Sequence, residues 1–157
     1  MRRWSHTLAV LLLTATALSA VGCKSRTVYH HYEHTATTGW EKDDTLFFRV
    51  PAMGQGSELS EEVELRTNSS YLFQDVSLII KQTTFPSKVS RTDTLFCTLT
   101  DEEGNIQGKG VNYFQHRFHL TNFYANKGDS MVIAIRHNMR RDLLPGIMDV
   151  GVRLTMN

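Results

Sequence analysis

The hydrophobic positions fall into short runs with a period of two, broken at regular intervals by turn residues. Val150, Val152, Leu154 and Met156 alternate with Gly151, Arg153 and Thr155, the pattern of a strand with one buried face. Val63-Glu64-Leu65-Arg66 alternates in the same way. Val76-Ser77-Leu78-Ile79-Ile80-Lys81 does so less cleanly, with Ile79 facing away from Val76 and Leu78. Thr45 to Val50, Thr92 to Thr100 and Met131 to Arg136 are rich in β-branched and aromatic residues, which suit a pleated, half-buried surface. Lys109 to Tyr124 holds Val111, Tyr113, Phe114, Phe118, Leu120 and Phe123 and reads as two strands with a bend. Val28 to Thr35 adds a first strand.

Turn chemistry separates these runs. Asp101-Glu102-Glu103-Gly104 suits a type I turn closed by a left-handed glycine. Asn126-Lys127-Gly128-Asp129 and Asn68-Ser69-Ser70 mark further reversals, and Met53 to Ser57 a longer loop. Phe85-Pro86-Ser87-Lys88 interrupts what would otherwise be one strand region. Met139 to Leu144 has room for a single helical turn before Pro145-Gly146. Roughly seven to nine short strands with such spacing predict an all-β fold, an antiparallel β-sandwich with the jelly roll as one way of connecting it.

The first segment is of a different kind. Arg2 and Arg3 precede an apolar run from Leu8 to Leu18, then Ser19-Ala20-Val21-Gly22 and Cys23. The run is shorter than the roughly 20 residues that span a bilayer, and its order is that of a bacterial secretory signal ending in a lipobox-like cysteine. Residues 1–22 are therefore expected to be removed. Cys23 would carry a diacylglyceryl group on its thiol and become the first residue of a membrane-anchored chain. Residues 23–39 would form the anchor and tether together with the first strand, and 40–157 a single sandwich domain. Arg2 and Arg3 leave with the signal, so Lys+Arg falls from 17 to 15 against 16 Asp+Glu, and the formal charge moves from +1 to −1. No basic excess remains to neutralise phosphates, which argues against nucleic acid as a partner. Besides Cys23 only Cys97 is present. There is no disulfide framework, and Cys97, sharing a strand face with Leu95 and Leu99, reads as a buried, inert thiol.

Candidate chemistry is sparse. There is no Gly-rich phosphate loop, Gly-x-Ser-x-Gly elbow or Cys-x-x-Cys, and no cofactor is implied. His30, His31 and His34 are the weak metal candidates. In a strand His30, Tyr32 and His34 share one face and His31 and Glu33 the other, and the simpler reading is a polar tether entering a strand. His116, His119 and His137 read as strand residues. The pairs Asp43-Asp44 and Glu61-Glu62 are placed at strand entries or on solvent faces. Tyr113, Phe114, Phe118, Phe123 and Tyr124 are candidates for an aromatic glycan-binding strip, with core packing as the alternative. Trp40 reads as core or core rim, with interface anchor as the second reading.

Several stretches taken in order resemble the gliding-motility-associated lipoprotein family, GldH. They are Gly39-Trp40-Glu41-Lys42-Asp43-Asp44 leading into Leu46-Phe47-Phe48, then Val63 to Asn68, Leu99 to Gly104, and the distinctive Asn138-Met139-Arg140-Arg141-Asp142-Leu143-Leu144-Pro145-Gly146 running on to Gly151. The resemblance implies a lipoprotein of the Bacteroidota outer membrane that acts in gliding motility, or more broadly in envelope and surface-protein assembly, through envelope or motility-machinery proteins. It implies no catalytic residues. Glycan binding and a metal-dependent activity of the histidine segment are the competing functions. Arg140 is expected to pair with Asp149 across the Pro145-Gly146 turn or, if exposed, to contact a partner. Residues 24–28 lack the acidic run that surface-exported lipoproteins of this bacterial group carry, which implies a domain facing the periplasm. Asp44-Thr45-Leu46, Asp93-Thr94-Leu95 and Asp129-Ser130-Met131 resemble the O-glycosylation sites of these bacteria, at Thr45, Thr94 and Ser130. Aspartate beside a β-branched residue also simply opens strands.

Overall fold

The computed structural model describes residues 26–157, so the signal-like segment and Cys23 lie outside the described residues. The described chain contains no helix. Its strands are β1 (Thr27–His34), β2 (Trp40–Glu41), β3 (Leu46–Val50), β4 (Ser57–Thr67), β5 (Asp75–Phe85), β6 (Val89–Thr98), β7 (Phe114–Ala125), β8 (Ser130–His137), β9 (Leu143–Leu144) and β10 (Ile147–Met156). Eight of them form two four-stranded sheets of order β1-β10-β4-β7 and β3-β8-β5-β6, all pairings antiparallel, while β2 and β9 form a separate ribbon. The long strands cross from one sheet to the other at every connection except the β5–β6 hairpin. That is jelly-roll connectivity, which settles the connection left open by the sequence.

The period of two does the sorting. Leu59, Val63 and Leu65 of β4, Val76, Leu78 and Ile80 of β5, Ile133 and Ile135 of β8, and Val150, Val152 and Leu154 of β10 are all buried between the sheets. Ile79 faces outward and is half-buried, as its phase requires. Cys97 is fully buried, and burial pushes its thiol up to about 12, so it is no nucleophile near neutral pH. β1 closes one side by packing beside β3, with the His31 ring edge-on to Phe48 at 6.4 Å.

Three expectations are corrected. Lys109 to Tyr124 holds one long strand, β7 (Phe114–Ala125), not two. Backbone bonds in both directions between Lys109 and Gln115 (2.9 and 3.0 Å) fold the preceding segment back onto the start of β7. Met139 to Leu144 forms no helical turn, because Leu143 and Leu144 give their backbone to Glu41 and Trp40 and Leu144 is buried. The Asp101–Gly104 turn is present, with Gly104 N–H donating to Asp101 O (3.1 Å), but it joins only the Thr100–Ile106 bridge inside the β6–β7 connection.

Antiparallel crossing puts the connections at two ends. At one end are 51–56, the β5–β6 turn at 86–88 and 126–129, together with the start of β1 and the end of β10. At the other are 35–45, 68–74, 99–113 and 138–146.

Candidate functional site

The long-loop end is assembled from segments far apart in sequence. β2 pairs with β9, and Lys42 N–H donates to Asp142 O (2.8 Å), so the Gly39–Asp44 segment lies against the 138–146 loop. Trp40 anchors the ribbon. It is fully buried, its Nε1–H donates to Asp44 O (3.0 Å), and its ring meets buried His137 edge-on at 5.3 Å. Burial lowers the His137 pKa, which keeps the imidazole neutral in this apolar setting. Gly146 sits at φ 87 with the Ser70-Tyr71 backbone where a Cβ would go, and its carbonyl accepts from Asn68 N–H (2.9 Å). Only glycine fits there. The 68–74 loop is thereby fixed to the 138–146 loop. Arg141 lies over the Phe73 ring at 5.6 Å, and Tyr71 meets Phe73 edge-on at 5.5 Å.

Around this frame the surface is indented, with charged, polar and apolar side chains all lining it. Clefts of about 630, 500, 390 and 270 Å³ open here. The largest lies beside the start of β7 and is lined by Thr98, Lys109, His116 and Phe118. The third runs between the 68–74 loop and the acidic turn, with Leu72, Phe73, Glu102 and Ile106 on its walls. Leu72 and Val111 are 83% and 87% exposed and Tyr113 is 60% exposed. Leu72 and Val111 were missed from the sequence as surface residues, whereas Tyr113 was a candidate there as part of an aromatic strip. The available signal was that Leu72 and Val111 are large apolar residues inside turn-rich segments with no alternating partners.

The histidine segment has a different fate. On the outer face of the first sheet, Tyr32, Gly151, Glu64 and Arg117 stand in one row across four strands. Gly151 makes this possible, since a Cβ there would lie 2.6 Å from the Tyr32 ring. Tyr32 crosses it and donates its hydroxyl hydrogen to Glu64. Glu64 also accepts from His30 Nε2 (3.1 Å), Gln115 Nε2 (3.1 Å) and Arg117 Nε (2.8 Å), and Arg66 lies over Tyr32 at 3.8 Å. Burial alone would raise this carboxyl, but the bonds from Tyr32 and His30 and the charge of Arg117 outweigh it, and its pKa falls below the ordinary value. Burial and the bond to Glu64 push Tyr32 up to about 12. His34 pairs with Asp149 instead, and His31, on the opposite face, with Glu33 at 3.2 Å. The three histidines thus go to three different carboxylates, and among the described residues no group of three or more His, Cys, Asp or Glu side chains converges to hold a metal ion.

Other candidates fall as follows. Arg140 is exposed and does not pair with Asp149, which is taken by His34 and Arg66 (3.6 Å). Trp40 offers no surface to a partner from outside. Phe118 and Phe123 pack against the core, and exposed Tyr113 and Tyr124 stand at opposite ends of β7, so the five aromatics form no continuous strip. Thr94 is exposed on the outer face of β6, while Thr45 and Ser130 are half-buried. Glu61 overturns its expected solvent position. Two residues from Leu59 and two from Val63, Glu61 shares their buried face and lies inside the sandwich. Arg91 reaches it from β6 at 2.7 Å, also meeting Gln82 (2.9 Å) and Asp93 (2.7 Å), yet burial dominates and pushes the Glu61 carboxyl up to about 7.

Fold and site together define a jelly-roll domain elaborated at one end by a ribbon and three interlocked loops. The chain belongs to the GldH lipoprotein family, whose model matches residues 27–154. It is 28% identical over 152 residues to the gliding motility lipoprotein GldH of Flavobacterium johnsoniae, an alignment covering 92% of this chain and 93% of that one. Membership makes it a lipoprotein of the cell envelope. Among solved structures it is similar to the glycoside hydrolase family 115 enzyme BtGH115A, a 4-O-methyl-α-glucuronidase (TM-score 0.45, 12% identity, 86% of this chain and 18% of that chain). It is also similar to the tumour necrosis factor Eiger of S. frugiperda (TM-score 0.33, 13% identity, 82% of this chain and 92% of that chain). At these scores neither likeness carries function across.

Proposed function

We propose that this chain is a non-catalytic lipoprotein, acylated at Cys23 and held at the outer membrane facing the periplasm, that serves gliding motility or surface-protein assembly by contacting other envelope proteins. The observation that carries this reading is the polarity of the domain. Cys23 stands four residues before Thr27, and β1 starts at the short-loop end. Two to three acyl chains there would hold the domain stably, since each buried CH₂ contributes about 0.8 kcal/mol. Two of the segments that resemble the family, Gly39–Asp44 and the distinctive Asn138–Gly146, lie together at the other end, away from the start of β1. The polar constellations supply no catalytic arrangement: Glu64 is saturated by donors, Glu61 is enclosed, and Cys97 is inert.

Crosslinking and co-purification from the native membranes test this, with Cys23→Ser as control. A defined envelope complex that loses membrane association in Cys23→Ser is the expected result. Recovery of the acylated protein alone, with no partner in stoichiometric yield, would overturn it.

A further inference from the structure

The two ends of the domain differ in charge as well as in shape. The long-loop end carries Glu41, Asp43 and Asp44 on one loop and Asp101, Glu102 and Glu103 on another, with Asp142 beside them. Against these seven carboxylates stand four cations, Lys42, Lys109, Arg140 and Arg141. Leu72, Val111 and Tyr113 project among them, each at least 60% exposed, with Ile106 and Leu143 partly exposed nearby. At the short-loop end the side chains of Arg26, Lys88 and Lys127 stand against two carboxylates, Glu58 and Asp129.

From this we infer that the long-loop end is a docking tip for a protein whose contact surface is basic around an apolar protrusion, and that the tip receives it away from the membrane plane. This rests on the lipid-anchored adaptor reading. Three other occupants are disfavoured. In the cleaved chain of the adaptor reading only Cys23, Lys24 and Ser25 precede Arg26, a reach of about 14 Å from Thr27, whereas strands of ten residues hold the two ends roughly 33 Å apart. An anionic lipid surface would be repelled by the acidic loops. A second copy anchored in the same leaflet points the same way, and two acidic tips would repel each other on meeting. A protein partner satisfies both features. Its apolar protrusion fills the roughly 390 Å³ cleft between Leu72 and Ile106, where burial of large side chains supplies affinity. Its cations face Glu102 and Glu103, which steer association and set register.

The experiment uses the acylated full-length chain in native membranes, carrying a photocrosslinking amino acid at Leu72 or Tyr113, with Val89 and Tyr124 as equally exposed sites at the short-loop end. The expected result is a discrete protein adduct from Leu72 and Tyr113 and none from Val89 or Tyr124. That adduct should fall at least tenfold with Leu72→Asp, and at least fivefold with Glu102→Lys plus Glu103→Lys, at unchanged thermal midpoint. Adducts only from the short-loop sites, adducts to lipid or to a second copy of this chain at the tip, or insensitivity to both sets of substitutions would overturn the inference. If co-purification yields a complex while the tip sites stay silent, the tip assignment alone fails. If no complex forms at all, the adaptor reading fails with it.

Discussion

The short-loop end and the long-loop end are built on the same eight strands, yet the chain treats them differently. The connections 51–56, 86–88 and 126–129 are three to six residues long and do little beyond reversing direction. The connections 35–45, 68–74, 99–113 and 138–146 run from seven to fifteen residues, and they hold one another. Trp40 fastens 35–45 to β8, Lys42 and Leu144 fasten it to 138–146, and Gly146 fastens that to 68–74. Long loops that packed on nothing would pay their ordering entropy without return. Here the ordering is offset by a buried tryptophan and a two-stranded ribbon. The lesson is that one end is scaffold, while the other presents a surface rigid enough to be recognised.

The sharpest way to break this contrast is Trp40→Ala. A fully buried indole removed from the ribbon should lower unfolding stability by about 3–5 kcal/mol in urea titration. Val89→Ala at the short-loop end should change it by less than about 0.5 kcal/mol. Equal effects at the two ends would dissolve the distinction.

Next comes the buried acid on the short-loop side of the core. With its folded pKa raised to about 7 above an ordinary 4.5, Glu61 binds its proton more tightly in the native state. Its contribution to stability is therefore fully present below pH 4.5 and is lost as pH rises through 7. The loss is about 3 kcal/mol. Glu61→Gln should flatten the stability profile between pH 4.5 and 7.5, and a slope unchanged in that variant would place the titration elsewhere. Glu64 has the opposite sign: its lowered pKa gives stability that is present above the ordinary carboxylate range and lost as pH falls below it.

Smaller still is Tyr32→Phe. It removes one donor to Glu64 but leaves His30, Gln115 and Arg117 in place, so a loss of about 1 kcal/mol is expected in the same titration. Smallest is Thr94→Ala on the exposed face of β6, neutral in stability within about 0.5 kcal/mol. Intact mass of the mature protein before and after this change tests O-glycosylation. A polypeptide-plus-lipid mass with nothing further in the unaltered chain would reject it.

Much of the architecture was legible because it depends on a local period. Val150, Val152 and Leu154 or Val76, Leu78 and Ile80 announce their buried face one residue at a time. Pro145-Gly146 announced a turn, and the structure sets the Ser70-Tyr71 backbone against Gly146 and the Tyr32 ring against Gly151. Glu61 was misplaced although it is in phase with Leu59 and Val63, because a carboxylate ordinarily faces water and only Arg91, brought across from β6, makes its burial tolerable. Asp149 was assigned to Arg140, nearby in sequence, because its true partner His34 lies on a strand that sequence cannot place beside it.

Alternation and turn residues therefore determine on their own that this is an antiparallel β-domain, the segment ending at Cys23 has the composition expected of a lipoprotein-type leader, and the ordered family-like stretches point to the GldH family. Period, turn chemistry and leader composition are local properties, so the chain displays them unfolded. Only the tertiary structure decides that the strands connect as a jelly roll, that three histidines go to three separate carboxylates, and that the Gly39 and Asn138 segments meet at the end opposite the start of β1. Those outcomes depend on which distant strands pair. Pairing is set by the summed burial of both sheets, which no single stretch of sequence contains.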